Sequence, residues 1–439
     1  MPSSIIGSPD FHLDEETGSI FAHLSVPLGP MLEIRRRRPE DRCRSIGGGR
    51  QQSRTGSSVV SFCQPSFWED DQVKSPQATY EGFLSIRKFG PLDGLRGVAV
   101  LFIVWFHTSG QPGPLIFSQG QAALECFFAI SGFLITTLLM RERNKSGRIS
   151  LRRFYIRRVL RIFPLYYTMV AIYIVVMLVM ENGTEKGQQF FSHLPGFLTF
   201  TSNWQIGLGQ SETVPFYFAW SLATEEQYYL LWPPLLVASL LVSKGRIWGP
   251  LAVLLGLVTI LVATHVFADP QQMPWRIPAS LSLSILLASA CAVIVNDPRG
   301  FAVMAWVLGR RWSAPVVYII LLTVLSLGTW PWLIEVLVVP AVVSVSIVDR
   351  TLLRPILAWR PLVFVGVVSY GMYLTHMLSA NVVRRVIHEQ ESVTVAIGTI
   401  ALAILAGYLS FRFFETPILR LKRRFENVDQ KAGDELSRR

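Results

Sequence analysis

From about position 92 onward, long apolar runs alternate with short polar connections, many of them basic. A helix needs about 20 apolar residues to cross the hydrocarbon core of a bilayer. Runs such as Trp248–Phe267, Leu281–Val295 and Leu333–Val348 approach that length, which marks them as spans rather than buried core. Hydropathy predicts about ten spans, over 94–110, 121–140, 162–180, 220–243, 247–267, 279–295, 315–329, 332–348, 361–383 and 393–414. The fold expected is all-α, a polytopic transmembrane helix bundle.

The connections alternate in charge. Those after the second, fourth, sixth and eighth spans carry Arg141, Arg143, Lys145, Arg148 and the run Arg152–Arg161, then Lys244 and Arg246, then Arg299, Arg310 and Arg311, then Arg350, Arg354 and Arg360. The intervening connections carry almost none. Basic loops stay in the cytoplasm, so both termini are expected there and the chain in the cell (inner) membrane. Arg384 and Arg385 fall on the side expected to face outward, so either that helix ends early or these arginines pair with Glu389 and Glu391.

Composition agrees: 51% of the 439 residues are hydrophobic and 16% charged, against about 25% charged in soluble domains. The net charge of +11 sits mostly between apolar runs, so no nucleic-acid partner is expected. Four cysteines without paired ligand spacing indicate neither a disulfide framework nor a metal site. Residues 1–87 are mixed and polar, with Arg35–Arg38 and Gly47–Gly49, and read as a cytoplasmic, largely disordered tail without a cleavable signal. Residues 88–418 form the membrane domain and 419–439 a basic cytoplasmic tail. No extracytoplasmic domain is expected to follow.

Ionisable groups within apolar spans are costly and mark candidate chemistry. In the first span Asp93, Arg96 and His107 fall near one helix face, with Arg96 and His107 about 16 Å apart along the axis. Asp93 and Arg96 read either as an interfacial pair or as site residues, and His107 as a packing residue or a buried proton acceptor. Glu125 is the chemical candidate of the second span, whose Ser131 and Gly132 suit close packing. The basic segment holds Arg157, Arg158 and Arg161. Guanidinium forks suit phosphates, and orientation or lipid contact is the plainer alternative. Glu225 and Glu226 open the fourth span, expected at the depth of His107. Ser369, Tyr373 and His376 form a smaller polar group in the ninth.

Six strings carry a family resemblance: LDGLRGVAVLFIVWFH (92–107), FFAISGFLITTLL (127–139), FYIRRVLRIFPLYY (154–167), WSLATEEQYYLLWP (220–233), SYGMYLTH (369–376) and FRFFETP (411–417). In this order and spacing the chain resembles the acyltransferase type 3 family of membrane-bound O-acyltransferases. Its basic-residue-to-histidine pattern, with ten residues between, is met by Arg96 and His107. Glu125 stands where the family often has Asp, and Thr375 where Trp commonly precedes the histidine.

The resemblance implies transfer of an acyl group, commonly acetyl, from acyl-coenzyme A to a hydroxyl of a glycan or other small acceptor. No cofactor would be permanently bound; acyl-coenzyme A is a co-substrate. Arg96, Arg157, Arg158 and Arg161 would bind the donor. His107 would take the acceptor's proton or carry the acyl group, with Glu225, Glu226 and Asp93 assisting. Glu125, Tyr167, Tyr229, Ser369, Tyr373 and His376 would line the cavity. A stand-alone transferase is expected. A transporter or flippase is the rival reading, which inverted repeats or broken helices would favour; a membrane anchor serving the N-terminal tail is a second.

Overall fold

The apolar runs fold as helices because, in lipid, backbone groups must be satisfied within the segment. The computed structural model describes residues 79–86, 88–110, 119–206, 214–328, 331–347 and 351–418, all of them in one unit spanning Val73–Arg439. The expected tail therefore lies mostly outside the described residues, as does most of 419–439.

The order is α1 (Tyr80–Ser85), α2 (Gly90–Phe106), α3 (Gly120–Ser146), α4 (Leu151–Met180), α5 (Glu185–Thr199), α6 (Ser202–Gln205), α7 (Ala219–Val242) and α8 (Trp248–Phe267). Then follow α9 (Arg276–Ala279), α10 (Leu283–Val295), α11 (Pro298–Leu308), α12 (Ser313–Leu327), α13 (Pro331–Ile347), α14 (Arg354–Leu357), α15 (Arg360–Ile387) and α16 (Val393–Ser410), closed by a π turn, Phe411–Glu415. There is no strand among the described residues, and the protein is an all-α membrane protein.

Five helices are long and apolar enough to cross a membrane, or six if α10 and α11, bent by 115° at their break, count as one. This falls short of the ten expected. Helices α12 and α13 are apolar but have 15 and 17 residues. Helix α7 reaches 24 residues, but Glu225, Glu226 and Gln227 make its first half polar. The basic segment and the third expected span fuse into the single 30-residue α4. Pro164 interrupts its backbone ladder, and the Thr168 hydroxyl donates to the Pro164 carbonyl at 2.8 Å.

Helices α2, α15 and α16 pack extensively in series, as do α3 and α10. Small residues permit the close approach. A Cβ on Gly366 of α15 would overlap the Asp93 carbonyl of α2, and one on Gly132 of α3 would overlap the Ile285 carbonyl of α10. Helix α2 thus runs against α15, with Asp93 and Arg96 in its first half and His107 at its C-terminal end.

The short α1 falls within the segment assigned to the tail, yet it is docked. Phe83 is fully buried, and the Tyr80 hydroxyl donates to the Asn296 carbonyl at 2.7 Å. Arg141 donates to the carbonyls of Ile86 and Phe83 at 2.7 and 2.6 Å, with its guanidinium 4.6 Å from the Phe83 ring centre.

Candidate active site

His107 caps the C-terminus of α2. Its Nδ1 lies 2.9 Å from the Ile103 carbonyl. A carbonyl only accepts, so the neutral ring carries its proton on Nδ1 and keeps the Nε2 lone pair. His376, on α15, repeats the arrangement with the Tyr373 carbonyl. It is fully buried, and its Nε2 has no partner. The two imidazoles face each other with centres 5.3 Å apart.

Aromatic residues wall this pair. The Tyr217 ring lies 6.0 Å from His107 and the Phe218 ring 4.9 Å from His376. Phe216, with φ of 66°, turns the chain into α7 and presents both rings. That left-handed conformation is costly for a bulky residue; the Phe216 ring is buried against Tyr173, Phe197 and Phe218. Tyr373 donates to the Phe218 carbonyl at 2.9 Å, and its hydroxyl is 2.6 Å from that of Ser221. Ser369 is buried one turn earlier on α15.

Arg384, which disagreed with the charge pattern of the loops, belongs to this end. Helix α15 continues to Ile387, and Arg384 donates to the carbonyls of His107 and Gln390 at 2.9 and 2.7 Å. It satisfies main-chain acceptors rather than the carboxylates expected for it. The Ser392 N–H donates to the Thr108 carbonyl at 3.2 Å, so two bonds hold the end of α2.

The acids Glu225 and Glu226 were expected beside His107, and their contacts run elsewhere. Glu225 accepts from Ser131 at 3.0 Å and from Tyr229 at 2.9 Å, and is faced by Arg158 and Arg96. Glu226 has a buried carboxylate oxygen without a hydrogen-bond partner and also faces Arg158. Helix periodicity placed these acids on α7 but could not say which neighbour they meet. Ser131, read as packing, is one of their ligands.

The arginines separate. Arg96 pairs with Asp93 at 3.1 Å and Arg157 with Glu142 at 3.3 Å. Arg158 lies over the Tyr229 ring, 4.8 Å from its centre. Arg161 is exposed, yet Arg96, Arg158 and Glu415 face it from α2, α4 and the turn after α16. Tyr167 donates to the Leu198 carbonyl at 2.9 Å. Glu125 is buried and lines a separate cavity with Glu335, a residue the sequence reading did not single out.

The site thus comprises a guanidinium cluster beside the first half of α2, with Arg161 exposed, and an imidazole pair at the C-terminal end of α2, with His376 buried and His107 half-buried, an arrangement fitted to hold an anionic group at one place and accept a proton at the other. A family model described as an acyltransferase domain, acyltransferase type 3, matches residues 90–412, and the chain belongs to that family. It is similar to "Putative O-acetyltransferase SACOL0978" of Staphylococcus aureus (strain COL), 29% identical over 76% of this chain and 58% of the relative. It is also similar to the peptidoglycan O-acetyltransferase OatA of Listeria monocytogenes, 28% identical over 76% of this chain and 56% of the relative. The chain therefore spans somewhat over half the length of these relatives. No solved structure matches it.

Proposed function

We propose that this protein is an O-acetyltransferase that moves an acetyl group from acetyl-coenzyme A to a hydroxyl of a cell-wall-type glycan across the cell membrane. The observation that carries this reading is the pair of imidazoles, each with Nδ1 engaged and Nε2 left basic, at the far end of the helix that bears Arg96. The names of the relatives supply the acceptor class. The charge pattern of the loops supports the orientation, with the arginine end and both termini in the cytoplasm.

The donor's phosphates bind Arg161 and Arg158, with Arg96 steered by its bond to Asp93. The thin pantetheine arm reaches along α2 toward His107. The acceptor oxygen attacks the thioester carbonyl, a C–O bond forms and the C–S bond breaks. Nε2 of His107 takes the hydroxyl proton and returns one to the departing thiolate, so no proton is gained or lost overall. His376 backs the imidazole that becomes charged. The contacts of Glu225 and Glu226 fit them to organise Arg158 beside the arm rather than to orient His107.

The test is transfer of radiolabelled acetyl from acetyl-coenzyme A to glycan in membranes containing wild type or His107→Gln at equal abundance. Loss of a general base costs about 10²- to 10⁴-fold, and His107→Gln is expected in that range. Transfer at the wild-type rate overturns the reading.

A further inference from the structure

A cavity of about 590 Å³ opens between α3, α7, α8 and α13, outside the imidazole pair. Two carboxyls share it. Glu125 accepts from Gln121 at 2.9 Å and from Ser284 and Ser282 at 2.7 and 3.2 Å. Glu335, near the start of α13, lines the same cavity and acts electrostatically on Glu125. Glu125 is held in place by donors, but no basic side chain is among the groups facing it. The one arginine in the lining, Arg276, gives its two terminal nitrogens to the carbonyls of Trp204 and Gln271, while its buried Nε–H has no hydrogen-bond partner.

A structural knot would need only the donors already present. It would not need a second carboxyl on another helix, a large space beside it, or indole faces around that space. The lining supplies all three, with Trp220 and Trp332 as the indoles. Fixed hydrogen-bond acceptors together with flat apolar faces match a hydroxyl-rich ring, which offers O–H donors at its edge and C–H groups on its faces.

The cavity also adjoins the imidazole pair. Gly120, which opens α3, packs against the ring of Phe106, the residue before His107, and α3 then enters the cavity at Gln121 and Glu125. Likewise the chain presents Tyr217 to His107 and, one turn on, Trp220 to the cavity.

We propose that this cavity binds a saccharide ring of the acceptor, with Glu335 and Glu125 accepting from its hydroxyls and Trp332 and Trp220 covering its faces. This rests on the glycan reading above and assigns that acceptor its site.

The test is equilibrium binding of triacetylchitotriose, a soluble N-acetylhexosamine oligomer, to the full-length protein in detergent. It needs neither donor nor turnover, so its result stands apart from the His107 transfer test. Wild type is expected to bind, and Glu335→Gln and Trp332→Ala each to bind roughly tenfold or more weakly, the first on the scale of a lost charged hydrogen bond and the second on that of a lost aromatic contact and its buried area. Both positions have accessible surface, and thermal unfolding reports whether each variant folds; Trp332→Phe, which keeps an aromatic face, is expected to bind between wild type and Trp332→Ala. Failure of wild type to bind, or equal binding by folded Glu335→Gln and wild type, overturns the proposal. So does binding that a divalent-cation chelator abolishes, which would make the carboxyl pair a cation site.

Discussion

The guanidinium of Arg384 donates to the main-chain carbonyl of His107 at 2.9 Å, joining residues 277 positions apart. The residue whose charge sat oddly in the loop pattern thereby satisfies an orphan carbonyl at the end of α2 and fixes the turn that carries the imidazole. Arg384→Ala leaves that acceptor unmet, at a cost of about 1–3 kcal/mol. The variant is expected to unfold at lower temperature in detergent and to lose transfer activity. Arg384→Lys, with a single head group for two carbonyls, is expected between them. Unchanged activity in Arg384→Ala would show that the turn needs no such tie.

The α2–α15 contact makes a second prediction. A methyl group at Gly366 meets the Asp93 carbonyl, so Gly366→Ala must push the helices apart. Overpacking costs about 1–3 kcal/mol. The thermal unfolding midpoint should fall, whereas Gly256→Ala, on α8 with open space around it, should leave it unchanged or raise it slightly.

The basic residues of α4 should divide by their partners. Arg157 is engaged by Glu142, while Arg161 is exposed among Arg96, Arg158 and Glu415. Arg161→Ala is expected to weaken acetyl-coenzyme A binding by roughly tenfold or more, the value of a charged hydrogen bond, and Arg157→Ala by much less. Binding to purified protein checks this directly. The reverse order would move the donor to the outer face of α4.

Arg141 secures α1 through two carbonyls and a ring face. Arg141→Met keeps the stem but loses the donors. It is expected to free the segment around Tyr80–Ser85, read as faster proteolysis near Phe83 and Phe89 than in wild type. Equal cleavage rates would mean that the buried Phe83 ring alone holds the helix.

Much of this was legible in the chain. Apolar runs gave the helices, and the spacing of Arg96 and His107 along α2 was legible too, because both follow from local periodicity. What escaped was lateral. Periodicity assigns Glu225 to α7 but not to Ser131 of α3, and it lists His376 without placing its ring beside His107. Glu335 drew no notice in the sequence, because its pairing with Glu125 depends on α13 packing against α3. Length and composition do not reach the count of about ten spans, because apolar character also runs through shorter helices such as α12, of 15 residues. The fusion of the basic segment into α4 was hidden by Pro164, which usually marks a helix end but here sits mid-helix.

Helix α2 is secured at both ends, by the glycine contact with α15 near Asp93 and by Arg384 at His107. A rod fastened twice cannot slide, so the interval between Arg96 and His107 is fixed. Under the proposed reaction, a donor gripped at Arg96 would deliver its thioester at one depth only, and the length of its arm would set whether it reaches His107.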